Sequence, residues 1–307
     1  MYIVHHRSLF FWITGIILAA AIGAILFYGL PRSIDFTGGS LIQIGYQNDR
    51  PALSDIQNKI AVVPLGSVSV RASGTNDVSI RTRTLTPAEH EAILSVLTQD
   101  TSADSTISPQ ATELSFTSIG PTLGGQFENK ALLAILAVVL VIVIYIAFAF
   151  RKVSRPVPSW GYGLTVIAML AIDLIVPTGF YAVFCHFTGA EVDALFIVAL
   201  LALLGYCVND IIVIFDRIRE HLAKNEKTGL KESFEDTVGK SISETMTRSI
   251  NTALTVVLAL LVLILVGAPA TKNFALVMLV GVAAGTFSSI CRSAPLLIPL
   301  AQKFAKK

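Results

Sequence analysis

Six long stretches of this 307-residue chain are almost empty of charge. Residues 8–31, 131–150, 160–184, 194–215, 249–271 and 274–301 hold only three charged side chains, Asp173, Asp210 and Arg292. Each stretch meets or exceeds the ~20 apolar residues that cross a hydrocarbon core of about 30 Å. The whole chain is 53% hydrophobic and 14% charged, whereas soluble domains carry roughly 25% charged residues. An ordinary soluble protein and a disordered chain are both excluded. The sequence reads as an α-helical membrane protein with six transmembrane helices.

The spans are predicted at 9–30, 131–150, 162–184, 194–215, 249–268 and 274–300. Residues 1–8 precede the first span, 216–248 form a loop and 301–307 a tail. Leu9–Leu30 is longer than the roughly 7–15-residue core of a cleaved signal peptide, so an uncleaved first helix is expected. Lys and Arg set the orientation of such a chain. With the N-terminus inside, Arg7, Arg151, Lys152, Arg155, seven residues between Arg217 and Arg248, Lys303, Lys306 and Lys307 all lie inside. The short outside loops then carry only Lys272. Both termini are therefore expected to be cytoplasmic.

Residues 31–130 read as a separate domain on the outer side. Ser40–Tyr46 alternates as a strand, Ala52–Ala61 is helical, and Ser67–Ser73 and Val78–Arg83 alternate again around the turn residues Gly74-Thr-Asn-Asp77. Thr86-Pro87 opens a second helix, with Glu89 in the capping-box position. A last strand runs near Glu113–Ile119. The order β-α-β-β-α-β predicts an α+β ferredoxin-like domain between the first and second spans. Nothing in it has the pattern of a catalytic cluster.

An ionisable side chain inside a span costs about 2.5–3.5 kcal/mol on insertion scales, so each one needs a reason. Asp173 lies near the middle of the third span, and Asp210 in the inner third of the fourth, beside Asn209. In the fifth, Glu244, Arg248, Asn251, Thr252 and Thr255 fall on one helical face. Gly281, Gly285, Ser288, Ser289 and Arg292 repeat that spacing in the sixth, where small residues let a neighbouring backbone come close. Arg248 and Asp210 sit at similar shallow depth, so an Asp210–Arg248 pair is expected, serving as a proton relay or gate. Plainer readings stay open. Arg248 snorkels to the interface, Asp173 and Arg292 only fix packing, and the face of the sixth helix is a packing face.

Other chemistries find no support in the residues. A net charge of +2 with no basic run gives no reason for a nucleic-acid partner. Cys185, Cys207 and Cys291 have no metal-ligand spacing, so no metal, cofactor or disulfide framework is predicted. Gly239-Lys240-Ser241 has Phe234 where a phosphate loop needs its first Gly. Energy for any work would have to come from an ion gradient.

Four stretches resemble one family, SecF, the smaller subunit of the bacterial SecDF protein-export complex. Ile34-Asp35-Phe36-Thr37-Gly38-Gly39-Ser40 is similar to its D-F-x-G-G motif. Leu204-Gly205-Tyr206-Cys207-Val208-Asn209-Asp210, with Phe215-Asp216-Arg217-Ile-Arg-Glu220, resembles its G-Y-S-x-N-D…D-R-I-R-E stretch. Glu244-Thr-Met-Thr-Arg248-Ser249 is similar to the start of its fifth helix. Gly285-Thr-Phe-Ser288-Ser289 with Pro295-Leu-Leu297 resembles its last. The resemblance spans the chain and implies an inner-membrane subunit related to the resistance–nodulation–division transporters. It implies SecD as heterodimer partner, the SecYEG channel and YajC as neighbours, a translocating preprotein as cargo, and a periplasmic 31–130 domain that moves. It implies use of the proton motive force to complete translocation, with Asp210, Arg248 and Asp173 at the positions implicated in proton passage. The chain departs from the family at Ile172, where His is usual, at Cys207 for Ser, and at Arg292 for an apolar or small residue. The mechanism expected is protonation of an Asp at the SecD interface, in exchange with Arg248, toggling the helices. No bond is made or broken, so no enzyme is expected. Half of a small-solute exporter and a passive translocon scaffold remain as alternatives.

Overall fold

The structure is a computed structural model describing residues 2–47, 49–66, 68–73, 76–98, 111–149, 157–230 and 232–305. Gly74 and Thr75 of the predicted turn lie outside the described residues, as do Arg151, Lys152, Arg155, Lys231, Lys306 and Lys307 of the charge count. The chain divides into a helical unit (Met1–Leu30, Leu133–His186 and Ala194–Lys307) and a sheet unit (Pro31–Leu132 with Phe187–Asp193).

The helical elements are α1 Arg7–Tyr28, α4 Pro121–Ala149, α5 Ser159–Thr188, α6 Ala194–Thr228, α7 Phe234–Val266 and α8 Pro269–Ser288. A π-helical turn, Ser289–Ser293, joins α8 to α9, Ala294–Ala305. Among the described residues six helices, the last being the joined α8–α9, are long and apolar enough to cross a membrane. The segment predicted as a loop at 216–248 is mostly helical, because α6 continues to Thr228 and α7 already begins at Phe234. Charged residues pair along α6, as Arg217 does with Glu220 and Arg219 with Asp216, and so support the helix beyond the apolar run. Arg217 also reaches across to Glu244 of α7. Ser233 caps α7 by accepting from the Asp236 N–H at 3.0 Å.

α6 is the core of this unit. Phe196, Ala199, Leu200, Leu203, Leu204, Cys207, Ile211, Ile214, Phe215 and Ile218 are all buried and recur with the helical period along one side of the helix. In a membrane, helices associate through close packing and hydrogen bonds, since lipid is as apolar as leucine. The glycines show where that packing is tightest. A Cβ on Gly281 would lie 2.2 Å from a Leu203 methyl, one on Gly285 2.4 Å from Cys207 Sγ, and one on Gly179 2.5 Å from Ala21 Cα. By contrast α1 and α4 expose large apolar side chains such as Trp12, Leu26, Phe27, Leu136 and Leu140. Such surface belongs against lipid or another apolar protein.

The sheet unit contains β1 Gly39–Tyr46, α2 Leu53–Ile60, β2 Ser69–Ser73, β3 Asp77–Thr82, α3 Pro87–Thr98 and β4 Ala111–Ile119. The four strands are ordered β2-β3-β1-β4 and every neighbouring pair is antiparallel, the arrangement a split β-α-β unit produces. Ile42, Ile44, Val78 and Ile80 alternate onto one face, and Ile56, Ile60, Ile93 and Leu97 meet them from α2 and α3 at helical spacing. The capping box forms: Glu89 Oε2 accepts from the Thr86 N–H at 2.9 Å, and Thr86 Oγ1 accepts from the Glu89 N–H at 3.4 Å.

Before β1 the chain makes one helical turn, Ile34–Thr37, with Ser33 Oγ accepting from the Asp35 N–H and Phe36 buried. It then bends at Gly38 (φ +72°) and Gly39 (φ +125°). A Cβ on Gly39 would stand 2.6 Å from the Thr82 carbonyl oxygen. Both the positive φ and the close approach exclude a side chain.

Phe187–Asp193, which the sequence offers only as a short connection, is part of this unit. Ser33 donates its N–H to the Val192 carbonyl at 2.8 Å, and Val192 donates to Pro31 at 2.7 Å. Glu191 accepts from Arg71 at 3.0 Å and Arg81 at 2.9 Å. Arg81 also donates to the Arg32 carbonyl and to Thr37 Oγ1.

Two outcomes follow from this unit. Gly39→Ala is expected to destabilise it by about 2–4 kcal/mol, a left-handed penalty of roughly 1–2 plus an overpacking term. Resistance of the membrane-embedded chain to trypsin on heating reads this, and an unchanged threshold temperature would refute the backbone argument. The Arg83 guanidinium and the Thr86 donors pull the Glu89 carboxyl from an ordinary 4.5 down to about 2. A carboxylate held low contributes fully above its unfolded value and loses that contribution as pH falls. Amide protection of the first α3 turn, corrected for intrinsic exchange, is therefore expected to fall between pH 4.5 and 2. In Glu89→Ala it should already be low at neutral pH.

Candidate functional site

The two intramembrane carboxylates are both buried within the helical unit, and different elements hold each one. Asp210 projects from α6 and is 7% exposed. Ser249 of α7 donates to its Oδ1, and Ser289, the first residue of the π turn, donates to its Oδ2. Asp173 projects from α5 and is 2% exposed. Nη2 of Arg292, in the same π turn, lies 3.6 Å from its Oδ1.

The expected Asp210–Arg248 pair is absent among the described residues, which is a correction to the sequence reading. Arg248 is exposed on α7 while its neighbour Ser249 is buried. Consecutive helical residues point about 100° apart, so the residue that faces α6 is the serine. The cause is a second polar stripe on α7. Thr237, Ser241, Thr245 and Ser249 recur every four residues and are all buried. Three of these hydroxyls donate to a carbonyl one turn back, as Ser241 does to Thr237 at 2.8 Å, which lets them enter an apolar interface. The four-residue spacing is a signal in the sequence, beside the more polar stripe through Glu244, Arg248, Asn251, Thr252 and Thr255. Those five residues are exposed.

The remaining motif residues divide between the inside and the outside of the unit. Tyr206 shares a hydrogen bond with Thr286 Oγ1 at 3.1 Å, and Ser288 donates to Met169 Sδ at 3.6 Å. Gly285 receives Cys207. Gly205 and Asn209, one turn apart on α6, face outward. Asp216 pairs with Arg219, and Arg217 bridges Glu220 and Glu244 at the polar end of α6. Asp35, Phe36, Gly38 and Gly39 belong to the turn before β1 in the sheet unit.

The π turn matters to the chemistry. Such a turn holds an extra residue per turn and often marks a functional position. Here five consecutive residues present a hydroxyl to Asp210 and a guanidinium to Asp173. The Ser289 hydroxyl also lies 2.9 Å from the Thr286 carbonyl. One hydroxyl proton serves one acceptor at a time. With Asp210 ionised, the proton goes to the carboxylate. With Asp210 protonated, the acid donates to Ser289 Oγ, and the hydroxyl proton turns to Thr286. The site therefore accepts both charge states with every group bonded. Among the described residues no three His, Cys, Asp or Glu side chains converge as metal ligands would.

Comparison with known proteins gives consistent matches. The family described as protein export membrane protein SecD/SecF, C-terminal, matches residues 99–303, and the SecD/SecF GG motif matches 23–49. The protein translocase subunit SecF of Thermobaculum terrenum is 36% identical over 303 residues, covering 96% of this chain and 92% of that protein. The protein of the same name from Anaerolinea thermophila is 33% identical over 294 residues, covering 95% and 91%. The crystal structure of SecDF, a translocon-associated membrane protein from Thermus thermophilus, has the same fold, with a TM-score of 0.79 at 24% identity. A SecDF crystal structure in a super-membrane-facing form gives 0.62 at 26% identity. The chain covers 38% of each of those two chains.

Removing a donor from a buried carboxylate leaves an unsatisfied acceptor and costs about 1–3 kcal/mol. Ser249→Ala and Ser289→Ala are each expected to lower the thermal stability of the detergent-solubilised chain by that amount. Arg248→Met, on an exposed face, should change it by less than about 0.5 kcal/mol. A larger loss for Arg248→Met than for either serine would return Arg248 to Asp210.

Proposed function

Because the chain belongs to the SecD/SecF family of protein export membrane proteins, we propose that it uses the proton motive force to drive Sec-dependent preprotein translocation, as one half of a pair with SecD. It is a multi-pass protein of the bacterial inner membrane with a role in Sec translocation. Proton coupling is carried by one observation above all: a buried carboxylate, Asp210, whose hydrogen-bond donors among the described residues are the neutral hydroxyls of Ser249 and Ser289. No bond is made or broken in this reading, so the protein acts as a coupling subunit rather than an enzyme.

The partner surface is argued from what lipid cannot do. Arg248, Asn251, Thr252 and Thr255 are exposed on α7 where its apolar run begins, and Asn209 is exposed on α6. Polar groups inside a span face a bundle interior or a water-filled cavity. The SecD half supplies that covering, and its own membrane acid is the natural counter-charge for Arg248. Asp210 then sits one residue behind this surface. Taking up a proton removes one negative charge from α6 and turns the Ser289 hydroxyl toward Thr286. One charge moved through 100 mV is worth about 2.3 kcal/mol, enough to bias two arrangements of the helices. In this reading both termini are cytoplasmic, residues 31–130 are periplasmic, and the sheet unit moves to assist a preprotein leaving SecYEG, with YajC as a further neighbour.

The test is gradient-dependent preprotein release from inverted membrane vesicles containing SecD. Asp210→Asn should abolish the gradient-dependent step, and Arg248→Met should lower it by at least about tenfold, equivalent to ~1.4 kcal/mol. Both variants should still co-purify with SecD. Asp210→Asn vesicles that kept a wild-type response to the gradient would refute the coupling.

A further inference from the structure

Asp173 and Arg292 have no part in the coupling just described, yet they are among the most deeply buried charged groups in the helical unit, 2% and 3% exposed. Asp173 lies near the middle of α5, where a side chain cannot reach water at either end. Its surroundings differ from those of Asp210. Neither of its oxygens has a partner at full hydrogen-bond geometry, and Arg292 Nε donates none, although the Ser288 hydroxyl and the Cys207 thiol both face the carboxylate. Four groups face it from the elements packed around α5: Asp210 and Cys207 on α6, Arg292 on the π turn, and Ser288 just before that turn. Arg292 is the cation among them. Its guanidinium lies over the Phe287 ring at 5.7 Å, and guanidinium stays protonated in proteins.

Two neighbouring carboxylates in a low-dielectric core would ordinarily share their protons as a coupled pair, neither with a titration of its own. A fixed cation beside one of them breaks that symmetry. With Arg292 in place, Asp173 and Arg292 cancel, and the charge of the cluster alternates between one negative and none as Asp210 exchanges. Without Arg292, two uncompensated anions would be buried together, and one would have to take up a proton.

We propose that Arg292 is a built-in counter-ion that holds Asp173 as a permanent anion, leaving Asp210 as the single exchanging carboxylate within the spans of this chain. Arg292 is thus a positioning residue, acting on Asp210 through Asp173. The part of the inference that concerns exchange rests on the proton-coupling reading. The counter-ion itself does not.

The test uses the full chain with SecD in membrane vesicles, treated with dicyclohexylcarbodiimide across a series of pH values. This reagent modifies protonated carboxyl groups in apolar surroundings, and peptide mass spectrometry locates each adduct. In the wild type Asp210 is expected to be modified and Asp173 to be spared. Arg292→Leu should raise modification of Asp173 by at least tenfold, whereas Arg292→Lys, which keeps the charge, should leave it spared. Asp173 modified as readily as Asp210 in the wild type would overturn the proposal. So would Asp173 still spared in an Arg292→Leu chain that assembles with SecD. If Arg292→Leu alone does not assemble, the double variant Asp173→Asn/Arg292→Leu decides: recovery supports the counter-ion, and continued failure assigns Arg292 to packing. If proton coupling is the reading that fails, Asp210 takes no adduct at any pH and export ignores the gradient. The Asp173 adducts then still decide whether Arg292 is its counter-ion.

Discussion

Two carboxylates buried among apolar helices each require a partner, and much of the helical unit is arranged around supplying them. Each draws a partner from the same π-helical turn, Ser289–Ser293, which interrupts the last span between α8 and α9, and Asp210 takes a second, Ser249, from α7. Ser289 opens that turn and donates to Asp210, and Arg292, three residues on, faces Asp173. Close packing of α8 against α6 brings the turn within reach. Gly281 and Gly285 leave room for Leu203 and Cys207, so the helices meet where any larger residue would hold them apart.

The two carboxylates have different chemical prospects. Hydroxyls can serve a carboxylate or a carboxylic acid by reversing the direction of one hydrogen bond, so Asp210 can change charge without leaving an orphaned group. A guanidinium only donates, and it favours one state of its neighbour. A site that must move protons and a site that must not can thus lie side by side on the same few helices, distinguished by what faces them.

In the sheet unit the equivalent constraint is backbone geometry. The turn through Gly38 and Gly39 uses φ values closed to other residues and brings the chain against the Thr82 carbonyl. Glu191 then fastens the Phe187–Asp193 segment to Arg71 and Arg81. These two arginines lie on adjacent strands whose register places Ser69 opposite Arg81, so both project from the same side of the sheet.

Much of this was legible in the sequence. Charge-poor stretches of span length can only be satisfied as helices in a bilayer, so their number and approximate positions followed from composition along the chain. The order of strands and helices between the first two spans followed from periodicity, because a period of two or of 3.6 is a local property. The Gly-Gly bend and the Thr86–Glu89 cap are local too, and could be read directly. The extent of α6 and α7 was underestimated because hydropathy marks where a helix is apolar and does not mark where it ends. Which polar residues meet inside the bundle was not legible. Asp210 and Arg248 share a depth, but depth leaves rotation about the helix axis free, and a single-residue step turned Ser249 inward and Arg248 outward. The pairing of Asp173 with Arg292 joins residues more than a hundred positions apart through a π turn that carries no local sequence mark. The sequence by itself determined the helices, the strands and the cost of each buried charge. Only the tertiary structure decided which groups offset that cost, because the choice depends on how each helix is rotated when the others close around it.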